Sequence, residues 1–96
     1  MIVRFHSAAR VEFLEAADHY EQKASRLGAD FIHEVERILS LIKEYPDIGT
    51  PWRHETRRLP LRRFPFNVIY RHKADCILIV AVAHRRRKEY WSGRIV

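Results

Sequence analysis

Residues Cys76 to Trp91 read C-I-L-I-V-A-V-A-H-R-R-R-K-E-Y-W, and the contrast between the two ends of that stretch governs the rest of the chain. Cys76 to Ala83 are apolar without a break and rich in Ile and Val. A run so short and so β-branched is a strand covered on both faces, the centre of a sheet. At Ala83 the character reverses. His84, Arg85, Arg86, Arg87 and Lys88 follow, then Glu89 and the aromatic pair Tyr90-Trp91. Consecutive cations cannot extend a buried strand, because each needs a counter-charge or water. A basic, histidine-bearing, aromatic-ended segment therefore stands at the exit of the central strand, and a functional surface is expected there.

Working outward, Asn67-Val68-Ile69-Tyr70-Arg71 puts Phe66, Val68 and Tyr70 on one face and joins the central strand across the polar turn His72-Lys73-Ala74-Asp75, a hairpin. Arg57 to Arg62 also has period two, with Leu59 and Leu61 on one face and Pro60 pointing to an edge position. Ile2 to His6 is a short first strand. Between these lie two helical patterns. In the first, capped by Ser7, the apolar stripe is Val11, Leu14, Ala17, Tyr20 and Ala24, and the helix ends before Leu27-Gly28, where glycine supplies a left-handed C′ residue. The second opens near Asp30, buries Phe31, Ile32, Val35, Ile38, Leu39 and Ile42, and stops at Tyr45 because Pro46 cannot continue it. Pro46 to Pro51 reads as a loop. The order β-α-α-β-β-β predicts an α+β fold in which a helical hairpin packs on one face of a small, mostly antiparallel sheet, one domain over residues 1–96.

The formal net charge of +6 conceals an asymmetry. Residues 1–50 carry six Lys/Arg against nine Asp/Glu, and residues 51–96 carry twelve against three, a net of −3 facing a net of +9. That division points to a polyanionic partner on the second half, either nucleic acid or an acidic protein segment. There is no membrane-length apolar run, and the start M-I-V-R-F-H lacks the layout of a signal peptide, so a cytoplasmic address is expected. The one cysteine, Cys76, is a small residue of the central strand with no internal disulfide partner. The six histidines lack metal-ligand spacing, and three glycines cannot build a phosphate loop, so neither metal nor cofactor is expected.

His84 is the side chain near the strand's exit that can move a proton near pH 7. A surface histidine that merely ends a strand is the commoner case. If the strand continues, Arg85 and Arg87 share a face and Arg86 takes the other, which lets two guanidiniums clamp a phosphate or accept carboxylates from a protein. Tyr90 and Trp91 suit either of two roles, stacking a base or folding back to close the open end of the core, and the second is favoured in so small a domain. Trp52 poses the same question on a loop. The binding set read from the second half is Arg57, Arg58, Arg62 and Arg63, then Arg71, and then Arg85, Arg86, Arg87, Lys88, Tyr90 and Trp91.

In their order along the chain, R-F-H-S-A-A-R (4–10), F-L-E-A-A-D-H-Y-E (13–21), G-A-D-F-I-H-E-V-E-R-I (28–38), R-R-L-P-L-R-R-F-P-F-N-V-I-Y-R (57–71) and I-L-I-V-A-V-A-H-R-R-R-K-E-Y-W (77–91) resemble the RelE/ParE toxin superfamily of type II toxin–antitoxin systems. The F-P-F-x-x-x-Y-R strand and the A-V-A-H-x-R-R-x-x-Y-W tail resemble its ParE-like, plasmid-stabilisation branch. The resemblance implies a bacterial toxin held by a cognate antitoxin whose C-terminal segment, acidic to match the basic half, lies over it in a hetero-oligomer. RelE-like members cut mRNA on the ribosome, which here would draw on His84, Tyr90, Arg85, Arg87 and Arg71 as base, acid and charge stabilisers. Those nucleases carry an arginine two places after the residue matching Pro65, and this chain has Asn67. ParE-like members bind DNA gyrase without chemistry of their own, and the resemblance implies that mode first. A nontoxic nucleic-acid-binding domain is the third reading.

Overall fold

A computed structural model describes residues 1–95, and Val96, the last residue of the expected domain, lies outside the described residues. In chain order the elements are β1 (Ile2–Phe5), α1 (Ser7–Lys23), α2 (Leu27–Glu44), β2 (Thr50–Trp52), β3 (Thr56–Pro60), β4 (Phe66–Lys73) and β5 (Cys76–His84). They build a five-stranded sheet in the order β1-β5-β4-β3-β2, with the helical hairpin on one face. β4 and β5 form the expected hairpin, from Phe66 opposite His84 to Lys73 opposite Cys76. β1 runs parallel to β5, with Ile2 opposite Cys76 and Phe5 opposite Ile79. The other pairings are antiparallel.

Helix α1 corrects two expectations. Its cap is His6, whose ring Nδ1 accepts from the Ala8 N–H at 3.1 Å, so Ser7 is already helical. Its buried stripe is Ala9, Ala16 and Ala17 with Phe13 and Tyr20, whereas Val11 and Leu14 are 53% and 52% exposed. Both stripes have helical spacing, so periodicity alone does not choose between them. Rings decide it. Tyr20 packs 5.4 Å from Phe31 and 4.7 Å from Phe64, and Phe13 lies 6.1 Å from Phe31, centroid to centroid. Aromatic side chains bury more area than the aliphatic pair and gain from edge-to-face contact.

Helix α2 begins at Leu27, earlier than the sequence suggests, and the left-handed residue of the turn is Arg26 (φ 70°), not Gly28. Gly28 has a different reason to be glycine. A Cβ there would stand 2.5 Å from the Ala17 carbonyl oxygen and 2.9 Å from the Glu21 Cβ, because the helices cross closely at that point. The Glu21 carboxylate accepts from the N–H groups of Arg26 and Gly28, both at 3.0 Å, so α1 supplies the cap of α2. Phe31, Val35, Ile38 and Ile42 are buried against the sheet, and the helix ends ahead of Pro46 as expected.

The segment from Pro46 to Pro51 is not wholly a loop. Thr50 and Pro51 open β2, which pairs with β3, so β3 is not the edge and Pro60 lies past the end of that pairing. The Tyr70 hydroxyl fixes this ribbon by donating to the Pro46 carbonyl at 2.7 Å and accepting from the Gly49 N–H at 2.9 Å. A Cβ on Gly49 would come within 2.7 Å of that oxygen.

In the β4–β5 ladder the register slips: Ile69 faces Ala81 but Tyr70 faces Ile79, so Val80 is an extra residue, a bulge. Val80 and Ala81 consequently both join the core on the face away from the helices, with Ile69 and Ala83. That face is closed by the C-terminal segment, with Trp91 (2% exposed) at its centre and Tyr90 and Ile95 beside it. Cys76, expected to be buried, is half-buried at the start of β5. Among the described residues no helix is long and apolar enough to cross a membrane.

Candidate functional site

β5 ends at His84, and the basic run does not continue as a strand. The Arg85 N–H donates to the Pro65 carbonyl at 2.9 Å and the Arg87 N–H to the His84 carbonyl at 3.0 Å, which turns the chain back across the sheet. Strand alternation therefore does not apply to the three arginines, yet they sort as it would have sorted them. Arg85 and Arg87 line a cleft of about 520 Å³, and Arg86 does not. Asn67, Ile69 and Ala83 belong to the sheet beneath that cleft. Trp52, Arg53 and Arg58 come from the β2–β3 ribbon, and His84, Lys88, Glu89 and Trp91 from the strand exit and the turn.

Ion pairing separates the twelve basic residues of the second half. Arg57 pairs with Asp47 at 3.7 Å, Arg63 with Asp30 at 3.4 Å, Arg94 with Glu12 at 2.8 Å, Arg53 with Glu89 at 2.8 Å and Arg71 with Glu55 at 2.7 Å. In the first three pairs the acidic first half meets the basic second half across the fold. Arg58, Arg85, Arg87 and Lys88 have no carboxylate within ion-pair distance among the described residues, and all four line the cleft. Five of the twelve are thus paired within the structure, and of the seven with no ion pair among the described residues four converge on the cleft, while Arg62, Lys73 and Arg86 lie outside it.

The expected site residues divide accordingly. Arg57 is committed to the β2 ribbon, donating to the carbonyls of Asp47 and Gly49 at 3.0 and 2.8 Å. Arg62 and Arg63 lie on the helix side, where both backbone N–H groups donate to the Glu34 carboxylate. Arg71 stands four residues along β4 from Asn67, roughly 13 Å away, outside the cleft. Trp91, one of the binding candidates, is instead the plug of the second core. Tyr90 is half-buried, its ring carrying the Arg87 guanidinium at 4.0 Å, and its hydroxyl faces Glu12. Burial, with the Glu12 carboxylate next, pushes the Tyr90 phenol well above its ordinary value, so it keeps its proton. His84 ends β5 with its Nδ1 accepting from the Arg86 N–H at 3.2 Å, which engages that lone pair and leaves Nε2 to carry the proton of a neutral ring.

Several contributors lie outside the binding set expected from the sequence, which leaves Trp52 an open question. Trp52 is 37% exposed with the Arg58 guanidinium 3.7 Å from its ring centroid. The turn joining β2 and β3 holds His54 and Glu55 at φ 60° and 58°, a left-handed pair that normally takes Gly or Asn. It is braced by Arg71 on Glu55, by Arg53 and His54 on Glu89, and by the Thr56 hydroxyl donating to the Arg53 carbonyl at 2.6 Å. Glu12 and Arg94, 82 residues apart, hold the C-terminal segment down. Beyond Phe5, β1 leaves the last part of β5 without a neighbouring strand, and there Glu12 accepts from the Val82 N–H at 3.1 Å while Arg94 donates to the Val80 carbonyl at 3.0 Å. No spacing rule connects those two positions. Among the described residues no three His, Cys, Asp or Glu side chains converge as a metal site would require.

Residues 3–89 match the family model described as the ParE toxin of the type II toxin–antitoxin system parDE. A solved structure titled as the chromosomal ParDE toxin–antitoxin system from P. aeruginosa has a similar fold, with a TM-score of 0.64 at 22% identity over 88% of this chain and 95% of that one. No match was found among curated protein sequences. The β-α-α-β-β-β core expected from the sequence is the one observed, and the family match spans nearly all of it, with every lining residue of the cleft except Trp91. The chain belongs to the ParE toxin family of type II toxin–antitoxin systems.

Proposed function

We propose that this ParE-family toxin acts by binding a large target, DNA gyrase, through the basic cleft and the turn that forms its outer wall, and that an acidic C-terminal segment of its antitoxin neutralises it by covering the same charges. The observation that carries this reading is that the groups a ribonuclease would need are each tied to a different partner within the protein. The His84 Nδ1 is engaged by the Arg86 N–H, the Tyr90 hydroxyl faces Glu12 away from the cleft, and Arg71 is paired with Glu55. Losing one preorganised donor typically lowers a rate about 10²–10³-fold, and here the base, the acid and one cation are each engaged by another group of the protein. Asn67, where the nuclease members have arginine, adds a hydrogen bond but no charge. Four cations without carboxylate partners, Arg58, Arg85, Arg87 and Lys88, by contrast share one accessible surface suited to steering an anionic partner.

The test is to express the protein without antitoxin and to assay gyrase supercoiling and cleavage-complex formation beside mRNA cutting on programmed ribosomes. Inhibition of gyrase that survives His84→Ala and is lost when Arg85, Arg87 and Lys88 are replaced by Gln is the expected outcome. Ribosome-dependent cleavage abolished by His84→Ala, with gyrase untouched, would overturn it. Association with an acidic antitoxin segment is expected to slow as salt rises, because the exposed charges set the encounter rate.

A further inference from the structure

We infer that the basic cleft holds one nucleotide of a single-stranded nucleic acid, the base stacked on Trp52 and the flanking phosphates on Arg85 and Lys88, and that it holds this strand without cutting it. The inference rests on the reading above only in taking the cleft as the functional surface.

The cleft, at about 520 Å³, falls in the range of roughly 300–1,000 Å³ typical of sites for small organic ligands. Its unpaired cations call for an anion, and an acidic peptide or a phosphate backbone satisfies that equally. Trp52 separates the two. It belongs to an edge strand, is flanked by Pro51 and Arg53, and stays 37% exposed while Arg58, 3.7 Å from its centroid, fixes the plane of the ring. A large rigid aromatic beside unpaired cations matches the arrangement of single-strand binders, in which the charges track the backbone and the ring takes a base. Carboxylate side chains have no face to stack. A duplex keeps its bases stacked on one another, so a ring that receives a base face-on needs an unpaired one. Asn67, beneath the cleft, can donate and accept at a base edge or a sugar hydroxyl. The strand stays whole because the nearest proton-transfer group, His84, has its Nδ1 occupied by the Arg86 N–H.

Fluorescence anisotropy of the purified full chain with a labelled short oligothymidylate tests this over a salt series, beside a duplex of equal length and with poly-glutamate as competitor. The single strand is expected to bind more tightly than the duplex and to be recovered intact. Trp52→Ala should weaken it about tenfold, since stacking is worth about 1–3 kcal/mol per base, and Trp52→Phe should restore most of the loss. Lys88→Gln should leave stacking intact and lower the slope of log K against log salt by about 0.7, the value for one phosphate contact on a single strand. Thermal melts check that each variant is folded, and should Trp52→Ala not fold, the comparison of Trp52→Phe with Trp52→Leu replaces it. Poly-glutamate displacing the oligonucleotide at equal charge, with binding indifferent to Trp52, would overturn the inference in favour of a protein-only surface. Preference for the duplex, or a cut strand, would overturn it as well. Gyrase inhibition is read separately, so loss of oligonucleotide binding with inhibition retained defeats this inference and leaves the proposed function standing.

Discussion

The two faces of the sheet are both buried, but by different means. On the helix face Phe31, Val35, Ile38 and Ile42 meet Val68, Tyr70, Ile77, Ile79 and Val82, and two long helices hold the cover in place. On the other face a short irregular segment does the work with one large side chain, Trp91, over Ile69, Val80, Ala81 and Ala83. That cover is fastened by the Glu12–Arg94 pair at one end and by Glu89, bound to Arg53, at the other. A wide apolar interface secures the fold, and a narrow one fastened by charges presents the cleft. The main packing interface and the basic cleft thus lie on opposite sides of one sheet.

The contrast is broken most severely by a carboxylate on each side. Ile79→Asp, fully buried beneath the helices, is expected to abolish the cooperative melt, because an unpaired buried charge costs several kcal/mol against a total of about 5–15. Ala83→Asp puts the same group at the base of the cleft, among cations and within reach of water, and should leave a folded protein. Equal loss of far-UV circular dichroism in the two variants would remove the distinction. Trp91→Ala comes next. Removal of a buried Trp costs about 3–5 kcal/mol, and the lower end is expected because the thin cover can settle onto the gap. Hydrogen exchange should then quicken in residues 85–95 before it does in the helices. Gly28→Ala follows, at about 1–3 kcal/mol by denaturant titration, since its methyl would meet the Ala17 carbonyl, a backbone atom that cannot swing aside.

The smallest effect concerns pH. The phenols of Tyr20, Tyr70 and Tyr90 are all raised above their ordinary value of 10.0, each mainly by burial. Above that value the unfolded chain gives up these protons and the folded chain keeps them. Their contribution is therefore complete below pH 10 and is lost as pH climbs through the folded-state values. Tyr90→Phe should make the decline in stability above pH 10 shallower, by at most about 1.4 kcal/mol per pH unit, as measured by urea melts across that range.

The sequence was most legible where one period had no rival. β5, the β4–β5 hairpin and the buried stripe of α2 follow from uninterrupted or cleanly spaced apolar residues. In α1, Val11 and Leu14 compete with Phe13 and Tyr20, and only the rings waiting on α2 and beside β4 choose between them. β2 was hidden because Thr50-Pro51-Trp52 is too short to show alternation, and its position depends on Tyr70 reaching back from β4. The site was half legible. The basic run announced Arg85, Arg87 and Lys88, but composition cannot tell a paired arginine from an unpaired one. Hence Arg57, Arg63 and Arg71 looked equivalent to Arg58. The bulge at Val80, which turns two successive residues to the same face, leaves no mark in an all-apolar run.

The Glu12–Arg94 pair has a bearing on solubility. The most β-prone segment of the chain, Ile77 to Ala83, carries an open edge where β1 stops, and an open edge of that kind templates further strands. One carboxylate and one guanidinium stand in for the missing strand, taking the Val82 N–H and the Val80 carbonyl that another copy would otherwise claim. A protein without Arg94 is therefore expected to declare itself in light scattering during concentration, with growing aggregates, while its dilute melting curve is still nearly that of the parent.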